Sequence, residues 1–370
     1  MILGFDAKRL FHNTSGLGNY SRTLLRDLSV YHPENSYHLF TPSMANHQWV
    51  QPFLQPPFQS HYPERKTWWW RSFTLTSSFP PDLQVYHGLS HELPFTIHQS
   101  SIKKIVTIHD LIYRHFPQDF PLPDRITYER KIQYALKTAD YVVAISEHTR
   151  QDVLAHFPVS PDRVRVIHQS VLPLFRDAPS PDLVAKARRH YQLPEMYLLY
   201  VGALSHRKNA LLMLQALSAN RNLDIPMVIV GKGKHYEHKC RKYVSDHKLD
   251  NRVIWLGHVA PDQVPLLMKG ASAVIYPSLY EGFGLPVLES IMLDVPVVTT
   301  RESALTEAGG DLAYYISGRD PGELAEVTLK AVSSNRTKDY NERKLRHLAQ
   351  FDAAKVAGQW SHLYQQVIDD

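Results

Sequence analysis

Two glutamates, Glu281 and Glu289, stand with seven residues between them in the stretch Ser-Leu-Tyr-Glu-Gly-Phe-Gly-Leu-Pro-Val-Leu-Glu. Carboxylates so spaced can accept hydrogen bonds from a hydroxyl-rich ligand or work as an acid–base pair. Gly282 and Gly284 let backbone amides come close to such a ligand, and Pro286 suits the first turn of a helix. The apolar run Ala273–Tyr276 upstream reads as a strand, and 287–293 downstream reads as a helix. Strand, glycine turn and helix start then follow one another, and a helix N-terminus offers unpaired N–H groups and partial positive charge to an anion. The plainer alternative is a capped surface helix with two solvated acids.

Four further stretches carry chemistry. Gly202-Ala-Leu-Ser-His-Arg207-Lys208-Asn209 follows a strand and opens a helix. Two cations at a helix start are disfavoured by the dipole, and a diphosphate would relieve them, with Arg207 as a fork and Lys208 as a point charge. The alternative is a pair of solvated cations. Gly231-Lys-Gly233 follows an apolar strand, but Tyr236 prevents completion of a dinucleotide fingerprint, and a tight structural turn explains it equally well. Gly16-Leu-Gly18-Asn19-Tyr20 reads as a glycine turn ahead of a helix over 20–29. It lacks a third glycine, and no acidic residue ends the second strand, which argues against a nicotinamide cofactor. His109-Asp110 ends a strand over 104–109, with Asp110 placed to orient the imidazole. Ser146, ahead of Glu147-His148-Thr149, reads as a helix N-cap.

Trp68, Trp69 and Trp70, flanked by Lys66 and Arg71, cannot all be buried on one face of an element. They read either as an acceptor-side patch that stacks on sugars or lies at a lipid interface, or as a plug under a long loop. The sequence has no Asp-x-Asp triplet and no His/Cys group with metal-ligand spacing, so no metal is expected.

The elements that must position these residues alternate between strand and helix, which predicts parallel α/β architecture. In the first half, strands are expected at 2–6, 37–41, 84–87, 104–109, 141–145 and 163–168, with an irregular stretch over 46–79. A proline-rich linker over 171–194 separates it from a second α/β run with strands at 197–201, 226–230, 252–255, 273–276 and 295–299. The division expected is 1–172 and 173–351, with 352–370 packing back on the first domain. The candidate segments fall at carboxyl ends of strands, where open α/β sheets bind ligands.

Composition bounds the rest. The 370 residues suffice for two cores, 44% are apolar and 21% charged. No run is long and apolar enough to span a membrane, the start reads as a strand and not a signal peptide, and one cysteine, Cys240, excludes an internal disulfide; a cytoplasmic protein is expected. The net charge of +5 suits an anionic substrate or an anionic membrane surface; no nucleic-acid recognition motif is present.

Glu-Gly-Phe-Gly-Leu-Pro-x-x-x-Glu over 281–289 resembles the E-x7-E signature of retaining glycosyltransferases of family 4, and Gly202 through Asn209 resembles that family's G-x-x-x-x-R-K-N element. The resemblance spans nearly the whole chain and is strongest over 197–315. It implies a GT-B fold, two Rossmann-like doubly wound domains facing a central cleft, and transfer of a hexose from a nucleotide sugar to a glycan or lipid-linked glycan in polysaccharide assembly, without metal or cofactor. It assigns Arg207 and Lys208 to the donor diphosphate, with Gly202 and Asn209 in the same element. Glu281, helped by amides of Phe283, Gly284 and Leu285, falls to the donor sugar and Glu289 to the ribose. Gly231 falls near the base, the amides of Gly16–Gly18 to the donor phosphate, and His109 to the transferred sugar. The leaving phosphate accepts the acceptor's proton. The Ile-His-Asp triplet resembles mannosyl-transferring members and favours GDP-mannose, with a UDP-sugar as the alternative. A sugar-nucleotide epimerase and a non-catalytic binding protein are the competing classes, and peripheral membrane contact accompanies the family's usual setting. Ile167-His-Gln169-Ser170 departs from the family's common I-P-N-G, and the run ending Leu293-Asp294-Val295-Pro296 departs from A-x-A-x-G-x-P.

Overall fold

The computed structural model describes residues 1–64, 69–334 and 337–370. Contacts divide the chain into two compact units, 1–170 with 350–370, and 171–349.

The first unit is built on seven parallel strands: β1 (Ile2–Asp6), β2 (Ser36–Phe40), β3 (Phe58–His61), β4 (Val85–Gly88), β5 (Lys103–Ile108), β6 (Tyr141–Ala144) and β7 (Val164–Val166), in the order β3-β2-β1-β4-β5-β6-β7. Strands such as β5 (KKIVTI) and β6 (YVVA) carry apolar runs because a parallel sheet is covered on both faces. The order reverses between β1 and β4, which makes the carboxyl ends of β1, β4 and β5 the switch point where such sheets open a crevice. The C-terminal helix Ala353–Asp369 belongs to this unit. It buries Trp360 and Tyr364, and the Tyr364 hydroxyl lies 2.9 Å from His87 Nδ1.

The second unit has six parallel strands: β8 (Leu198–Val201), β9 (Met227–Val230), β10 (Val253–Gly257), β11 (Ala273–Tyr276), β12 (Val297–Thr300) and β13 (Tyr314–Ile316), in the order β10-β9-β8-β11-β12-β13. Its switch point lies between β8 and β11. The core gathers Leu198, Tyr200, Met213, Leu217, Ile229 and Ile275. Cys240 lies in that core, where burial pushes its thiol up to about 12.

Three sequence expectations change. The stretch 46–79 holds an edge strand, β3, whose Phe-Gln-Ser-His sequence lacks apolar alternation. Edge strand β13 is three residues long and was likewise not expected. The Gly16–Gly18 turn is instead the first turn of the helix Gly16–Tyr31. Asn13 Oδ1 brings this about, accepting from the N–H and hydroxyl of Ser15 at 2.8 and 2.7 Å and from the Gly18 N–H at 3.2 Å. A Cβ on Gly18 would sit 1.9 Å from the Asn13 carbonyl oxygen, so this glycine is required by close approach inside a helix.

The tryptophan patch resolves in part. Trp70 is buried among Phe40, Leu75 and Tyr86, which removes it from any acceptor surface, and Trp69 is 44% exposed. Trp68 and Lys66 lie outside the described residues.

Candidate functional site

In the second unit, the chain leaves β11 at Tyr276 and turns at Gly284, which caps the helix Leu285–Met292 with φ +117°, a conformation that favours glycine. Pro286 lies in the first turn. The turn holds Glu281, 8% exposed, against the stretch that carries Arg207 and Lys208. Two hydrogen bonds join them: Leu279 N–H donates to the Arg207 carbonyl at 2.8 Å, and the Arg207 side chain donates from Nη1 to the Tyr280 carbonyl at 2.5 Å.

The Glu281 carboxylate is used asymmetrically. Oε1 lies 2.8 Å from Arg207 Nη1 and 2.5 Å from Lys208 Nζ, and accepts from the hydroxyls of Ser278 at 2.5 Å and Tyr276 at 3.1 Å. All four of these contacts are made by Oε1. Burial alone would raise this carboxyl, but Lys208 and Arg207 outweigh it and hold it below its ordinary range. Lys208 also lies over the Tyr276 ring, 4.7 Å from its centroid. The Glu281 N–H donates to Ser303 Oγ at 2.8 Å.

Glu289 sits one turn into the helix, 6% exposed, with no hydrogen bond or ion pair to its carboxylate among the described residues. Burial pushes it up to about 8, so at neutral pH it is largely a protonated acid. Asn209 caps the helix Ala210–Ala219 at φ +56°, and its side-chain amide donates to the Gly318 carbonyl at 2.9 Å. At Gly231, a Cβ would stand 1.8 Å from the Gly202 carbonyl oxygen; the ends of β8 and β9 pass too closely for any other residue. Packing alone therefore accounts for Gly231. Asp294, where the family commonly has glycine, holds φ +57° and pairs with Lys344 at 2.5 Å.

In the first unit, His109 directly follows β5. Its Nε2 lies 2.8 Å from the Leu89 carbonyl, which can only accept, so Nε2 carries the proton and Nδ1 the lone pair. The Tyr20 ring meets His109 edge-on at 4.6 Å. Burial, with His91 adding to it, pushes His109 down to about 3, so the ring is neutral. The Leu89 carbonyl thus orients this ring, and Asp110 accepts the Ile112 N–H at 3.1 Å. Ser146 is an N-cap, accepting from the Thr149 N–H at 3.0 Å, while the Thr149 hydroxyl donates to the His109 carbonyl at 3.1 Å. The contacts made by Thr149, Leu89, Tyr276 and Ser278 were not legible in the sequence, because each depends on the fold.

The amides of Gly16 and Leu17 open their helix without hydrogen bonds among the described residues, whereas that of Gly18 is taken by Asn13. Among the described residues no group of three or more His, Cys, Asp or Glu is placed to hold a metal ion, and no helix is long and apolar enough to cross a membrane.

Solved structures of similar architecture are sucrose-phosphate synthase from Thermosynechococcus elongatus (TM-score 0.77, 19% identity, 100% and 99% of the two chains) and Anabaena Alr3699/HepE in complex with UDP and glucose (TM-score 0.73, 15% identity, 98% of each). The fold is GT-B. Residues 18–171 match the family described as Glycosyltransferase Family 4, and 186–346 match Glycosyl transferases group 1. The chain belongs to glycosyltransferase family 4. Among curated relatives, it is 24% identical over 369 residues to O-antigen chain mannosyltransferase B of Escherichia coli, covering 92% of each chain.

Proposed function

We propose that the protein transfers mannose from GDP-mannose to a hydroxyl of a glycan or lipid-linked glycan in polysaccharide assembly, with retention at the anomeric carbon and without a metal ion or cofactor. The division of labour within Glu281 carries this reading. One oxygen gathers Arg207, Lys208, Ser278 and Tyr276, and in this reading the other accepts from a sugar hydroxyl.

In this mechanism Arg207 and Lys208 turn from Glu281 toward the incoming diphosphate and stabilise the charge that develops as the sugar–phosphate bond breaks. The acceptor oxygen bonds the anomeric carbon on the same face, and its proton passes to the leaving phosphate. Glu289 takes the ribose hydroxyls, amides of Phe283, Gly284 and Leu285 assist Glu281, and Gly202, Asn209 and Gly231 shape the donor loops. The amides of Gly16 and Leu17 receive donor phosphate. His109, neutral and protonated on Nε2, offers Nδ1 to a hydroxyl of the transferred sugar.

The mannosyl assignment draws on the Ile-His-Asp triplet at 108–110 and on the name of the Escherichia coli relative. A UDP-sugar is the second reading, favoured by the UDP in the Anabaena structure. A thermal-shift screen with GDP, UDP, ADP, NAD and their sugar conjugates, with and without EDTA, separates them. A ligand at 100 times its dissociation constant adds about 2.7 kcal/mol. Stabilisation by GDP-mannose that is indifferent to EDTA, followed by turnover to an α-linked product, is expected. A response to UDP-sugars alone changes the donor, and binding without turnover overturns the catalytic reading.

Peripheral contact with the cytoplasmic face of a membrane belongs to the same proposal. Leu122 and Ile126, 61% and 45% exposed, share the helix Leu122–Thr138 with Arg125 and Arg130. Flotation with anionic vesicles is expected, and equal recovery with neutral vesicles counts against it.

A further inference from the structure

A second cluster of charge lies in the first unit, at the carboxyl ends of β1 and β4. After β4 the chain doubles back so tightly that a Cβ on Gly88 would sit 2.3 Å from the Glu92 carbonyl oxygen. His91 takes φ +64° within this loop, its N–H donating to the Thr107 carbonyl at 3.0 Å. The loop brings Ser90, His91 and Glu92 beside Asp6, the last residue of β1. Arg71, buried, donates from Nε to both Asp6 oxygens at 3.1 Å and from Nη2 to Ser90 Oγ at 3.0 Å, and it also pairs with Glu92. Lys131 Nζ takes the other Glu92 oxygen at 2.5 Å.

Both carboxylates are therefore committed to Arg71 and Lys131, and the helix Lys8–His12 adds two more cations, Lys8 and Arg9. The Arg9 guanidinium makes no hydrogen bond or ion pair among the described residues, yet its Nε is shielded from solvent. His91 Nδ1 is likewise shielded and unpartnered. A buried donor left unpaired costs free energy that a ligand acceptor would recover. The cations also repel one another. Burial and then Arg71 pull Lys8 and Lys131 below their ordinary values, Lys131 to about 8, and burial and then Arg9 push His91 down to about 3. The cluster holds four cations against two carboxylates and lacks negative charge.

We propose that Arg9 Nε–H and His91 Nδ1–H, flanked by Lys8 and Lys131, form a binding site for a phosphoryl group carried by the acceptor. Two unpartnered N–H donors on side chains close enough for Arg9 to depress the His91 imidazole, with surplus positive charge around them, suit a multiply charged oxyanion better than a neutral sugar. His91 serves as a neutral donor in its Nδ1–H tautomer. The attribution to the acceptor rests on the transferase reading, whereas the phosphoryl site itself does not.

Calorimetric titration of inorganic phosphate into the full chain tests the site, with Arg207→Gln/Lys208→Gln as a background that removes the proposed donor cations. Binding should persist in that background and weaken roughly tenfold in Arg9→Lys and in His91→Gln. Arg9→Lys keeps the charge and loses the planar guanidinium fork, Nε–H included. Phosphate binding that ignores Arg9→Lys and His91→Gln, or that vanishes with the donor cations alone, overturns the proposal. Should the double variant fail to fold, the His91 imidazole resonance of the wild-type chain is followed instead; it should move on adding phosphate, and a fixed resonance overturns the site. Transfer to a glycoside acceptor with and without a phosphate ester then separates an acceptor phosphoryl from free phosphate. A lower KM for the phosphorylated acceptor, abolished by Arg9→Lys, is expected, and equal KM values overturn the attribution to the acceptor.

Discussion

Arg207 and Glu281 lie 2.8 Å apart across 74 positions of sequence, and the carboxylate oxygen that joins them also holds Lys208. Two cations thus share the single carboxylate of the residue proposed to bind the sugar, and the cluster keeps a net positive charge. On the proposed mechanism, that surplus charge is what an incoming diphosphate would meet. Arg207→Ala should weaken binding of the nucleotide donor, and unchanged affinity by calorimetry would break the diphosphate assignment.

Glu281→Gln removes the charge and leaves both cations beside a neutral amide. Breaking a mostly buried pair in this way should cost about 2–4 kcal/mol, less than a fully enclosed pair because all three side chains retain some exposure. Urea denaturation measures this, and transfer should fall with it; near wild-type transfer would remove Glu281 from the donor sugar.

His87, His91 and His109 are each pushed down to about 3, with burial the leading cause. Between about pH 6.5 and 3 the unfolded chain binds these protons and the folded chain does not, so stability falls as pH drops through that window. His91→Gln should flatten the fall in melting temperature between pH 7 and 5. An unchanged profile would mean that His91 titrates normally.

Glu289 acts with the opposite sign. Its carboxyl is raised from 4.5 to about 8, so the folded chain holds a proton that the unfolded chain has released, and stability falls as pH rises from 4.5 to 8. Glu289→Gln should be relatively more stable than wild type at pH 8 than at pH 5. Parallel melting curves across this range would contradict the burial of an unpaired carboxyl.

Ser146→Ala should cost about 1 kcal/mol by removing the cap on the helix Glu147–His156. Because that cap orders Thr149, whose hydroxyl holds the His109 carbonyl, a fall in kcat beyond the stability loss is also expected. Thr149→Val, which keeps shape and loses the bond, separates the two effects.

The sequence was most legible where function is local. Glu281, Gly284, Pro286 and Glu289 sit within nine residues, and the helix start they require is present. Arg207 and Lys208 were recognisable as cations in search of an anion, but not as partners of Glu281, because that pairing depends on β8 lying beside β11. Gly16 and Gly18 were misread as a turn since glycine disfavours helices; what overrides this is the Asn13 side chain. Trp70 could not be separated from Trp69 by type, only by which one faces the core. The ion cluster joining Asp6, Arg71 and Glu92 was invisible, since its members are dispersed along the chain and meet only through the loop after β4.

The helix Ala353–Asp369 seals the first unit with Trp360 and Tyr364, yet it is synthesised after the whole of 171–349. A chain cut short after residue 349 would therefore carry every residue of the second unit and leave the first unit without the helix that covers its core.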